Sequence, residues 1–260
     1  MVICYILDII IIAVIKFFRT ELLITAIAPV LFVVGIYINQ ENPVLKEIAH
    51  YQSEMIMGFA TLVENRDDST GSHVRRTSKY VELLALRLRQ EGFYRDVLTK
   101  DYIQNLIMAA PIHDIGKISV PDGVLQKPGS LTTDEYHTMK RHALAGRKII
   151  QETFGRLEDE DYLVMAYEVS RFHHEKWDGT GYPEGLKGKE IPLCARIMAI
   201  ADVFDAISEN RCYREAMPLE QCFRVIENGR GTFFEPIMGD VFLEMRDRVE
   251  AIHNDIHMED

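Results

Sequence analysis

Between His73 and Asp202 one pattern recurs: an apolar stripe at helical spacing that ends on, or begins with, a histidine or an aspartate. From His73 the inward positions are Val74, Thr77, Val81, Leu84 and Leu88, close to the i, i+3, i+4, i+7 rhythm of an amphipathic helix. In YIQNLIMAAPIHDIGK, Tyr102, Leu106, Ala109 and His113 share a face, with Pro111 expected to kink the helix and Gly116 to end it. TTDE, from Thr132 to Glu135, reads as a capping box opening a helix with Met139, His142, Gly146 and Ile149 inward. A fourth helix, from Asp161, uses Tyr162, Met165, Ala166, Val169 and Phe172 and delivers His173 and His174 at its end. The fifth follows Pro192, where Ala195, Met198 and Ala199 lead to Asp202. Strand-like alternation is absent from this stretch, so the expected fold class is all-α.

A single histidine on an apolar face is more often a hydrogen-bonded core residue than a ligand. Five histidines and two aspartates on the inner faces of five successive helices are different, because burying that much imidazole and carboxylate is costly unless something cationic compensates it. A metal centre supplies the compensation. Seven ligands are too many for one ion and suit two, set ~3.5 to 4 Å apart as in hydrolytic sites. Adjacent His113 and Asp114 would let one carboxylate bridge both ions. Mixed nitrogen and oxygen donors fit iron, manganese or zinc, and the absence of thiolates argues against a structural zinc cage.

Composition narrows the partners. The chain has 260 residues and is 47% hydrophobic, enough for a real core, but carries a formal charge of -11, so a broad electrostatic grip on nucleic acid is disfavoured. Cys4, Cys194, Cys212 and Cys222 form no CxxC pair, which fits a reducing compartment. Residues 1–40 stand apart: MVICYILDIIIIAVI is apolar except for Asp8, and the run from Leu22 to Ile38 has no charge over 17 residues. That length lies at the lower limit of the roughly 17 to 25 residues that span a bilayer. Residues 1–40 are therefore expected to be a hydrophobic anchor of one or two transmembrane helices, and 41–62 a linker and lead-in helix. Lys16 and Arg19 lie between the two runs and, under the positive-inside rule, would put the later domain outside. Free cysteines favour the opposite side, which two spans arranged as a hairpin would restore.

Three stretches carry a resemblance: RDDSTGSH ending at His73, HDIGK from His113 to Lys117, and HHEKWDGTGYPEGLKGKEIPLCARIMAIADVFDAI from His173. Together they resemble the HD-GYP family of metal-dependent phosphohydrolases, over about Val63 to Leu243, and residues 63–260 are taken as its catalytic domain. The resemblance implies an HD-domain helical bundle around a multinuclear site, often of iron or manganese, that hydrolyses cyclic di-GMP to linear pGpG and often on to GMP. It makes His73, His113, Asp114, His142, His173, His174 and Asp202 the metal ligands, Lys117 the contact to the scissile phosphate, and Arg211 and Arg214 a grip on phosphate or guanine. Gly181, Tyr182 and Pro183 are the family's name-giving triplet; Tyr182 is a candidate substrate contact, and loop shaping is the equal alternative. Trp177 is expected to pack, with base stacking as the rival role. Ser69 stands where relatives with a third metal carry a glutamate, which implies two ions here.

The expected partners are thus a cyclic dinucleotide and, through the N-terminal segment, the cytoplasmic membrane, with the catalytic domain in the cytoplasm and homodimerisation left open. Hydrolysis of another cyclic dinucleotide is the nearest rival. A non-catalytic module that senses a nucleotide or recruits a partner is the rival of another class.

Overall fold

The computed structural model describes residues 43–67, 72–155, 159–210 and 215–257. The expectations for residues 1–40, Ser69, Arg211 and Arg214 lie outside the described residues. The chain divides into two compact units, residues 1–52 and 53–260, and the second contains all seven expected metal ligands.

Among the described residues there are ten α-helices: α1 (Pro43–Glu64), α2 (Ser72–Gln90), α3 (Lys100–Ala109), α4 (Asp122–Leu125), α5 (Thr133–Phe154), α6 (Glu160–Phe172), α7 (Leu193–Ser208), α8 (Leu219–Gly229), α9 (Pro236–Glu244) and α10 (Arg246–His257). The same residues contain no strand, only an isolated bridge between Arg230 and Phe234. None of their helices is long and apolar enough to cross a membrane.

The core lies where α2 crosses α7, with α3 and α6 on one flank and α8 and α9 on the other. Val74, Val81, Leu84 and Leu88 of α2 are buried as their spacing requires. Tyr80, Phe204 and Phe242 meet edge to face, with ring centroids 5.2 to 6.4 Å apart, in the geometry that aromatic quadrupoles prefer. At the polar end of the crossing, Arg76 donates from Nε to Asp205 Oδ1 at 2.6 Å and from its terminal nitrogen to Oδ2 at 3.1 Å. Both side chains are fully buried, so this forked pair fixes the register of α2 on α7.

Local structure departs from expectation around Pro111. The chain does not kink and continue: α3 ends at Ala109, and a 3₁₀ turn, Ala110–Ile112, carries the proline at its start. Proline has no N–H for the α ladder and its ring clashes one turn back, so the helix stops instead of bending. Gly116 is likewise not a terminator but lies inside a second 3₁₀ helix, Ile115–Ser119. Its requirement is steric. A Cβ at Gly116 would stand 1.9 Å from the carbonyl oxygen of His142, so glycine is what lets the segment after Asp114 lie against α5. The capping box that opens α5 is formed as expected, with Thr132 and Glu135 bonding each other's backbone N–H.

Candidate metal centre and substrate cavity

Five elements converge on one point. His73 comes from the first turn of α2, His142 from the middle of α5 and Asp202 from α7. His113 and Asp114 sit in the turn between the two 3₁₀ segments, and His173 and His174 just beyond the C-terminus of α6. Four of the seven thus lie past helix ends instead of on helix faces, which lets two neighbouring residues point at the same place.

The imidazoles are held alike. Nδ1 of His113 lies 2.9 Å from the carbonyl of Ala110, that of His142 2.8 Å from Met139, and that of His173 2.9 Å from Val169. Nδ1 of His73 lies 2.7 Å from Asp205 Oδ2. A carbonyl or an ionised carboxylate can only accept, so each Nδ1 carries the proton and each Nε2 turns a lone pair inward. Nε2 of His73, His113 and His173, and Oδ1 of Asp114, are buried without a hydrogen-bond partner. Buried polar atoms are normally satisfied, and four orphaned acceptors aimed at a common centre fit cations.

The ligand atoms fall into two groups, each within 4.8 Å: Asp114, His142, His173 and His174 in one, and His73, His113 and Asp202 in the other. Asp114 faces both. Its Oδ1 is 3.2 Å from His142 Nε2 and 3.4 Å from His173 Nε2, while Oδ2 is 3.5 Å from His113 Nε2 and 2.8 Å from Lys117 Nζ. Asp202 Oδ1 lies 3.8 Å from His73 and 3.7 Å from His113. His174 and His142 bring their Nε2 atoms to 3.1 Å, a distance suited to two ligands of one ion. The donor set therefore fits two divalent metals.

Electrostatics agree with that chemistry. Burial pushes the carboxyl of Asp114 upward, but the ammonium of Lys117 outweighs it and holds the group well below the usual range. Burial drives His174 well below the ordinary histidine value, keeping it neutral and able to ligate.

Two further acids join the site without a motif to announce them. Asp205 orients His73 and is itself anchored by Arg76, the outer-shell arrangement that fixes a ligand's tautomer. Its one signal in the sequence is its place one turn beyond Asp202 on the same helix. Glu64, at the end of α1 and 1% exposed, lies 3.3 Å from Lys117 Nζ and close enough to His73 and Asp114 to make a third convergence. Burial raises its pKa, but the ammonium of Lys117 outweighs this and holds it below the ordinary value. Arg66 braces this corner by donating to the carbonyls of Lys117 and Val120, each at 3.2 Å.

Above the cluster opens a cavity of about 490 Å³, lined by Asp114, Lys117, Val124, Leu125, Lys127, Leu131, Tyr136, Met139, His142, His174, Tyr182 and Asp202 among others. It is within the size of small-molecule sites. Tyr182 forms part of its wall and leans on His174, with ring centroids 4.7 Å apart. The loop that presents Tyr182 is tied by Glu175, which accepts from the N–H groups of Glu184, Gly185 and Leu186. Gly181 is obligatory there, since a Cβ would meet the nitrogen of Lys176 at 2.4 Å. Trp177 is not among the residues lining this cavity. It packs near Arg196 beside Ile191 and Phe234, so it serves the loop's foundation, not the site.

Comparison with known proteins places this geometry. The HD domain profile matches residues 59–237, a span that holds all seven expected ligands. A probable cyclic di-GMP phosphodiesterase of Vibrio cholerae is 46% identical over 198 residues, covering 76% of this chain and 45% of that protein. A 3'3'-cGAMP-specific phosphodiesterase of the same organism is 37% identical over 206 residues, covering 79% of this chain and 37% of the relative. Among solved structures, that of a cyclic GMP-AMP specific phosphodiesterase of V. cholerae superimposes with a TM-score of 0.52 at 17% identity, over 78% of this chain and 53% of that one, and so shares the fold. The chain spans about half the length, or less, of the curated relatives it matches. With its HD pair at His113 and Asp114 and its Gly181, Tyr182 and Pro183 triplet set beside the same cluster, the chain belongs to the HD domain family, in its HD-GYP branch.

Proposed function

We propose that the chain is a metal-dependent phosphodiesterase that opens cyclic di-GMP to linear pGpG, and onward to GMP. The observation that carries this reading is the pair of inward-facing donor groups joined by Asp114 at the floor of a cavity that also holds an ammonium, Lys117. His73, His113 and Asp202 would hold one ion and His142, His173 and His174 the other, with Asp114 between them. Iron and manganese, the metals that the family resemblance implies, are compatible with these donors. When bound, two such ions supply electrophilic stabilisation of a phosphodiester and an activated water.

The chain's own residues do the rest. Lys117 Nζ, now 2.8 Å from Asp114, would contact a non-bridging phosphate oxygen and steady the negative charge that gathers there. Asp205 holds the proton on Nδ1 of His73 so that Nε2 stays an acceptor. Tyr182, set over His174, shields the floor from bulk water on the side of the glycine loop. Arg211 and Arg214 are proposed to grip phosphate or guanine, so alanine at either should raise KM or lower kcat with metal content unchanged.

Relatives named as specific for 3'3'-cGAMP make that dinucleotide the second reading. The test is to load the full chain with manganese or ferrous iron and follow several cyclic dinucleotides with resolution of linear and mononucleotide products. Preferential conversion of cyclic di-GMP supports the first reading, and preference for cyclic GMP-AMP the second. A metal-loaded chain that binds a dinucleotide without cleaving it would make this a sensing module. We further propose that residues 1–40 anchor the protein in the cytoplasmic membrane with residues 63–260 in the cytoplasm. Protease added to intact cells should then spare the catalytic domain, and its digestion would reverse the topology.

A further inference from the structure

The wall of the cavity leading away from the metal ligands has a chemistry of its own. Tyr136, near the start of α5, lines the cavity and is half exposed. One turn on, Lys140 is not itself a lining residue but flanks two that are, with its ammonium 4.9 Å from the ring centroid of Tyr136 and 5.6 Å from that of Tyr182. Tyr182 in turn leans on His174, its ring inclined 32° to the imidazole. A path of groups therefore runs outward from the donor cluster: His174, Tyr182, Lys140, Tyr136. The same cavity is lined by apolar Val124, Leu125 and Leu131.

On the phosphodiesterase reading, we infer that Tyr136, Lys140 and Tyr182 form a subsite for one nucleobase and that Lys140 selects guanine. Aromatic faces and an apolar lining accept any base, because every base offers a π face for stacking. Choice needs a polar group. An ammonium has only donors, and it is held in place here by attraction to two ring faces. Guanine presents two acceptors, N7 and O6, on one edge, and a donor-only group satisfies both. Adenine presents N7 beside an amino group, whose hydrogens would point at the ammonium. Lys140 thus favours guanine and penalises adenine at the base next to Tyr182, whereas the metal ligands treat every phosphodiester alike.

The test uses the full chain loaded with manganese and four substrates: cyclic di-GMP, cyclic GMP-AMP, cyclic di-AMP, and bis(p-nitrophenyl) phosphate, which has a phosphodiester and no base. Lys140→Met keeps the stem and removes the donors. It should lower kcat/KM for cyclic di-GMP by about 10-fold, the scale of one base-edge contact, while cyclic di-AMP, freed of the penalty on its amino group, is cleaved faster and bis(p-nitrophenyl) phosphate as by the unmodified chain. Tyr136→Ala should weaken all three dinucleotides together, chiefly in KM. An unchanged ratio of cyclic di-GMP to cyclic di-AMP in Lys140→Met would overturn the assignment, as would an equal loss on all four substrates. Turnover of the base-free ester by the unmodified chain reports the metal centre itself. A failure of the phosphodiesterase reading would appear there, and a failure of the base subsite only in the ratio.

Discussion

Asp205 Oδ2 stands 2.7 Å from Nδ1 of His73, and the same carboxylate receives the fork of Arg76, so the innermost turn of α2 and the metal-facing side of α7 are locked by one residue that ligates nothing. Asp205→Asn should keep the fold and lower metal affinity by about 10- to 100-fold, the usual effect of losing a ligand's outer partner. Asp205→Ala also strips buried Arg76 of its forked partner and leaves it only Glu209 at 3.4 Å, which should destabilise the fold by up to about 3 to 5 kcal/mol. Metal titration separates the first effect and urea unfolding the second. Normal affinity in both variants would remove Asp205 from the site.

Asp114 presents one oxygen to each donor group. Asp114→Ala should therefore abolish turnover and lower the content of both ions, whereas His142→Ala, which touches one group only, should deplete chiefly one. Elemental analysis of the two variants decides the point, and near-normal activity in Asp114→Ala would sink the shared-carboxylate reading.

Glu64, His73 and Asp114 converge on the place where the ammonium of Lys117 sits 3.3 Å from Glu64 and 2.8 Å from Asp114. The lysine's charge already serves there as the local cation. Two metals per chain are expected in the unmodified protein, and Lys117→Met should permit a third, which adding Glu64→Gln should abolish. Three ions in the unmodified chain would show that Glu64 outcompetes the lysine.

The capping box of α5 has a pH signature. Glu135 pairs with Lys127 at 2.6 Å and accepts from the N–H of Thr132, which brings its pKa from an ordinary 4.5 to about 2. A group whose folded pKa is lowered contributes its stability in full above the unfolded value and loses it as pH falls through the folded one. The difference in urea midpoint between the unmodified chain and Glu135→Gln should thus be constant above about pH 4.5 and shrink between 4.5 and 2. A difference independent of pH would mean that the carboxylate contributes nothing there.

Much of this site is legible in the sequence because its ligands obey helical spacing. His73 lies on a stripe whose other members are buried, and Asp202 follows the apolar run of α7; on the stripe of His142, Gly146 is buried but Met139 and Ile149 are half-buried, the buried apolar position being Ile150. What is not legible depends on contacts between distant segments. Asp205 reads as one more acid near a helix end until Arg76, 129 residues earlier, is seen to meet it. Glu64 becomes notable only when Lys117 folds beside it. The stop at Ala109 is hidden because a proline in a helical pattern can bend a helix or end it.

Whether two ions share Asp114 is tested most directly by anomalous diffraction from crystals grown with manganese. Two peaks are predicted, one among His142, His173 and His174 and the other among His73, His113 and Asp202, with a different oxygen of Asp114 bound to each. A single peak, or a pair that Asp114 does not join, would contradict it.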